Sequence, residues 1–146
     1  NAISEKDFHS FAVTVMKESN TFHAICQDTF PPIQPPYMTE KSHKIVQFVH
    51  SLNSFLGRTV ACYTFDAGPN AFIFVLEKDI KVFLTFFLTI FPKPLNDVPH
   101  ISKLIERYDI KLPCKNHINL QMKPDSTFLF ETLYLCKVGA GPVIVE

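Results

Sequence analysis

Thr59-Val60-Ala61-Cys62-Tyr63-Thr64-Phe65-Asp66-Ala67-Gly68-Pro69-Asn70-Ala71-Phe72-Ile73-Phe74-Val75-Leu76 holds two runs rich in β-branched and aromatic residues, parted by Asp, Gly, Pro and Asn. The runs suit a pleated, partly buried surface and the residues between them are turn formers. The stretch therefore predicts two strands joined as a hairpin or entering one sheet.

Upstream, the periodicity is helical. Ser4, Glu5 and Asp7 mark a helix start, and Phe8, Phe11, Ala12, Val15 and Met16 form one apolar stripe. Phe22, Ile25 and Cys26 continue it across Ser19 and Asn20, either after a break or on one long helix, until Phe30-Pro31-Pro32 stops it. Gln34-Pro35-Pro36 is a connector. Thr39 or Ser42 then caps a helix bearing Ile45, Val46, Phe48, Val49, Leu52 and Phe55, with Gly57 where a left-handed cap belongs.

Downstream, Ile80 to Phe91 is apolar nearly all round and reads as a buried helix started by Asp79. Pro92 to Pro99 reads as a loop, Ile101 to Tyr108 as an amphipathic helix, and 109–125 as irregular. Thr127 to Val138 predicts a strand running into Gly139-Ala140-Gly141-Pro142, with Val143-Ile144-Val145 as a last strand. The sum is an α+β fold: an antiparallel four-stranded sheet with helices packed on one face.

Composition narrows the function. At 146 residues, 47% hydrophobic and with 15 Phe, the chain has material for one sizeable core. Fourteen Lys+Arg balance fourteen Asp+Glu, which leaves no electrostatic footprint for nucleic acid or an anionic membrane surface. Cys26, Cys62, Cys114 and Cys136 show neither C-x-x-C nor paired Cys-His spacing, so free thiols in a reducing compartment are expected. Val82 to Phe91 is far shorter than the roughly 20 apolar residues of a membrane span. The chain opens on Asn1 and enters a helical pattern almost at once, which suggests the downstream piece of something longer.

Asp66 is the candidate for chemistry. An apolar strand delivers its carboxylate to a turn stiffened by Pro69, and a base must be held within hydrogen-bond reach of the proton it takes. An Asp before Gly-Pro also serves simply as a turn former bonded to its own backbone. Ser19 and Asn20 would bind phosphate if they opened a helix N-terminus, the alternative being a helix break with local capping. His23, among apolar residues, reads as a satisfied core histidine. His43 and His50 share one predicted helix but lack the carboxylate or cysteine partner of a zinc site. No glycine-rich phosphate cradle, nucleophile elbow or H-E-x-x-H motif is present.

Tyr63-Thr64-Phe65-Asp66-Ala67-Gly68-Pro69-Asn70-Ala71 resembles the signature of the diphosphomevalonate decarboxylases. Met16 to Ile33 is similar to that family's helix ending in a Pro-Pro turn, and Lys137-Val138-Gly139-Ala140-Gly141-Pro142 to its final strand and glycine turn. The chain departs at Lys137 and Val143, where the family commonly has Gln. The resemblance implies a GHMP kinase superfamily C-terminal domain over residues 1–146, ferredoxin-like in character, with the N-terminal ATP-binding half absent from this chain.

It further implies an enzyme that uses ATP and Mg2+, held mainly by that missing half, to phosphorylate the tertiary hydroxyl of mevalonate 5-diphosphate. Loss of phosphate and carbon dioxide then gives isopentenyl diphosphate. The family's catalytic aspartate falls on Asp66, and its adjoining backbone contact to substrate falls on Ala67. A cytoplasmic homodimer is expected by the same analogy, with no turnover from these 146 residues alone. The alternative is a non-catalytic domain of this fold, acting as a dimerisation or binding module.

Overall fold

A computed structural model describes residues 1–93, 99–115, 120–127 and 130–139. The chain opens with α1, Phe8–Gln27, one uninterrupted helix. Asp7 caps it, its carboxylate accepting from the Ser10 N–H at 3.1 Å and from the Ser10 hydroxyl, which together hold the Asp7 carboxyl below its ordinary range. The break weighed at Ser19 and Asn20 does not occur. Beyond Met16 the buried stripe of α1 continues through Ser19 and His23, while Ile25 lies exposed.

The second helix, α2, spans Glu40–Phe55 and starts with Thr39 and Ser42 in a reciprocal capping box. It ends in a Schellman turn: Gly57 donates to the Ser54 carbonyl at 3.1 Å and Arg58 to the Asn53 carbonyl at 3.2 Å. Gly57 adopts φ of +63°, as its placement after the last apolar residue predicted.

Strands β1, Ala61–Phe65, and β2, Ala71–Val75, form an antiparallel hairpin, one of the two arrangements expected, with Ala61 opposite Val75 and Phe65 opposite Ala71. A 3₁₀ turn at Glu77–Asp79 leads into α3, Ile80–Ile90, and α4 follows over Pro99–Arg107. Asp79 is buried and receives a bidentate pair of hydrogen bonds from Arg58 at 2.6 and 2.9 Å, which lowers its carboxyl pKa and ties the end of α2 to the start of α3.

Phe48 of α2, fully buried, centres the core. Phe83, Phe87 and Phe91 meet it edge-on at centroid distances of 5.8, 5.5 and 5.6 Å. Ala61, Cys62, Tyr63 and Phe65 are all buried, so β1 is covered on both faces, whereas Phe72 and Phe74 of β2 are exposed.

The sheet has two strands among the described residues, a correction to the four expected. One reason lies at the outer edge of β1. There Asn53 bonds the backbone of Val60 and Ala61, and Ser19 and His23 bond that of Phe65, so helix side chains occupy groups a third strand would use. Thr127 to Val138 has strand composition, but its described residues enter no ladder. Tyr134 and Val138 are exposed, and Lys93 Nζ donates to the carbonyls of Phe130 and Glu131. The expected strand Val143-Ile144-Val145 lies outside the described residues. None of the described helices is long and apolar enough to cross a membrane.

Candidate functional site

The hairpin turn is built by two devices. Gly68 takes φ of +129°, a region that L side chains rarely adopt. Its N–H donates to the Asp66 carbonyl at 2.8 Å, closing a tight bend around Ala67. Asp66 and Ala67 are both exposed at the tip of β1.

Behind the turn the backbone is held from α1. The Ser19 hydroxyl accepts from the Phe65 N–H at 3.0 Å and lies 3.4 Å from the Phe65 carbonyl, to which it donates. His23 Nε2 lies 3.2 Å from the same carbonyl. A carbonyl only accepts, so Nε2 carries the proton. Ser19 and His23 are 1% and 6% exposed, so these contacts form out of water, where an unpaired Phe65 amide would be costly.

One pleat earlier, the Tyr63 hydroxyl donates to Asn20 Oδ1 at 3.2 Å and lies 3.3 Å from His50 Nε2, which donates to it. A hydrogen-bonded row therefore links α1, β1 and α2 beneath the turn. Of the two α2 histidines, His43 and His50, the latter is engaged with Tyr63, and His23 is the buried, satisfied histidine its setting predicted. Ser19 and Asn20 lie mid-helix, where N–H groups are already bonded along the helix, so their placement corrects the phosphate-binding reading.

His23 is also one wall of a cleft of about 140 Å³ shared with Cys26, Ile33, Tyr37 and Met38. A more apolar cavity of about 240 Å³ lies between α3 and α4, against Leu88, Ile101, Ile105 and Leu112. Asp66 and Ala67 line neither. Burial pushes the Cys62 thiol up to about 11, which leaves it inert. Among the described residues no three His, Cys, Asp or Glu side chains gather into a metal cage, and Gly57 and Gly68 each serve a single turn. The described residues thus do not fit a self-contained magnesium or nucleotide phosphate site.

The sequence singles out Asp66 and Ala67, which lie exposed at the hairpin turn, but not the shared hold of Ser19 and His23 on the Phe65 backbone. A usable sign was present: at i and i+4 they are two polar residues inside the buried stripe Ala12, Met16, Ser19, His23. Polar groups so placed need buried partners.

Residues 1–145 match the mevalonate 5-diphosphate decarboxylase C-terminal domain family. The diphosphomevalonate decarboxylase of Rattus norvegicus is 49% identical over 144 residues, covering 99% of this chain and 35% of that protein. The Saccharomyces cerevisiae enzyme is 36% identical over 146 residues, covering 97% and 35%. The solved mevalonate diphosphate decarboxylase from Trypanosoma brucei superposes with a TM-score of 0.73 at 33% identity, over 88% of this chain and 34% of that one. The chain thus spans about 35% of the length of the curated relatives it matches.

Proposed function

Because the chain belongs to the mevalonate 5-diphosphate decarboxylase C-terminal domain family, we propose that it forms the C-terminal part of an ATP-dependent decarboxylase acting on mevalonate 5-diphosphate. Its own contribution is Asp66, with the Ala67 backbone as an adjoining substrate contact. The observation that supports this most is the exposure of Asp66 on a turn whose flanking peptide groups are both hydrogen-bonded.

A tertiary alcohol is a poor nucleophile. A carboxylate hydrogen-bonded to it orients an oxygen lone pair for in-line attack and receives the hydroxyl proton. Carboxylates are weak bases, so holding the alcohol in place contributes more than basicity does. When phosphate leaves the tertiary carbon and the carboxylate C–C bond breaks, the electron pair of that bond forms the alkene and carbon dioxide departs. A fixed negative charge beside the carbon stabilises the positive character that develops.

ATP would supply the transferred phosphoryl group and Mg2+ would neutralise its charge, both held mainly by an N-terminal half outside these 146 residues. The second wall of the cleft facing Asp66 comes from there too. The protein works in this reading as a cytoplasmic homodimer. The test is release of carbon dioxide and phosphate from mevalonate 5-diphosphate by the full-length protein, with release strictly dependent on ATP. Absence of both products with saturating ATP and substrate would contradict the proposal.

A further inference from the structure

We infer that Ser19 and His23 are positioning residues for Asp66, acting through the Phe65 backbone; this rests on the role proposed for Asp66 above. The Phe65 carbonyl and the Asp66 nitrogen belong to one planar peptide group, so fixing that oxygen fixes the plane from which the Asp66 side chain departs. Two donors fix it: His23 Nε2–H at 3.2 Å and the Ser19 hydroxyl at 3.4 Å. Ser19 also receives the Phe65 N–H at 3.0 Å, which locks the preceding peptide group.

On the far side, the Gly68 N–H at 2.8 Å holds the Asp66 carbonyl, and hence the peptide group that carries the Ala67 nitrogen. Asp66 therefore departs from a backbone pinned on both sides, although its own residue is exposed. The Phe65 N–H is bonded to Ser19 and its carbonyl to Ser19 and His23, so among the described residues it is α1 that sets the peptide plane from that side.

A carboxylate that orients a reacting oxygen is useful only within a fraction of an ångström of its productive place, and a displacement of about 1 Å costs on the order of 100-fold. Such a loss falls on the chemical step, so kcat drops while KM stays nearly unchanged.

The experiment is steady-state decarboxylation by the full-length protein carrying Ser19→Ala, His23→Leu, His23→Gln or Asp66→Asn, with kcat normalised to folded enzyme. Ser19→Ala and His23→Leu are expected to lower kcat about 10- to 100-fold with KM for mevalonate 5-diphosphate within about threefold. His23→Gln, whose amide N–H reaches where Nε2 donates, is expected to recover kcat to within about threefold of wild type. Should Ser19→Ala fail to fold, the two His23 variants decide alone. Wild-type kcat in His23→Leu, or no recovery in His23→Gln, overturns the inference while an inactive Asp66→Asn leaves the role of Asp66 standing. An Asp66→Asn enzyme of wild-type turnover overturns that role and the inference with it.

Discussion

Asn53 takes both backbone groups of Ala61 onto its side-chain amide: Oδ1 accepts the Ala61 N–H at 3.2 Å and Nδ2 donates to the Ala61 carbonyl at 2.8 Å. The same Oδ1 accepts the Val60 N–H at 2.8 Å. A single residue on the last turns of α2 thereby closes the entry of β1 against water and against another strand.

Replacing Asn53 by Ala leaves these groups unpartnered beside the fully buried Val60 and Ala61, and is expected to destabilise the fold by about 2–3 kcal/mol. Asn53→Asp keeps the acceptor for the Val60 and Ala61 N–H groups but turns a second acceptor toward the Ala61 carbonyl, so it too is expected to be less stable than wild type. Denaturant unfolding measures both, and an Asn53→Ala protein as stable as wild type would contradict this account of the edge.

Phe48→Ala empties the centre of the ring cluster formed with Phe83, Phe87 and Phe91. A loss of about 3–5 kcal/mol is expected, because a buried aromatic gives up both its transfer free energy and its packing partners. The midpoint of urea unfolding reports it.

At Gly57 the space for a Cβ is open, so substitution meets no clash, and any cost comes from φ of +63° alone. Gly57→Ala is expected to cost about 1 kcal/mol and Gly57→Asn less, since Asn tolerates that region better. Equal melting temperatures for wild type and Gly57→Ala would contradict the assignment of this turn.

Lys44 Nζ lies 2.6 Å from Asp125 Oδ2 and, with Thr127, holds the Asp125 carboxyl down to about 2. A carboxyl lowered in the folded state adds stability above its unfolded value, near 3.9, and loses it as pH falls through the folded value. Stability is therefore expected to drop between about pH 4 and pH 2, and Asp125→Asn to flatten part of that drop. Asp79, Asp7 and Glu77 are lowered too, by Arg58, Ser10 and Lys137 respectively, so the difference between the wild-type and Asp125→Asn profiles is the quantity to compare.

Local chemistry explains which parts of this fold were legible beforehand. The Thr39 cap, the Gly57 turn and the Asp66 to Asn70 hairpin are each specified by residues within a few positions of one another. The strand expected over Thr127 to Val138 depended instead on a partner edge. Composition favours extension there, but a ladder needs free N–H and C=O groups, and α1 and α2 occupy those of Ala61 and Phe65. The backing of the candidate site was hidden for the same reason, since Ser19 and Phe65 are 46 positions apart. Asp66 stood out because strand and turn meet at it.

Asp66→Asn in the full-length protein, an isosteric change that removes the charge and the proton acceptor, tests whether Asp66 acts on the reacting alcohol. A fall of about 10²- to 10⁴-fold in carbon dioxide release from mevalonate 5-diphosphate is expected, with ATP affinity and melting temperature close to wild type. Turnover within a few-fold of wild type in that variant would contradict it.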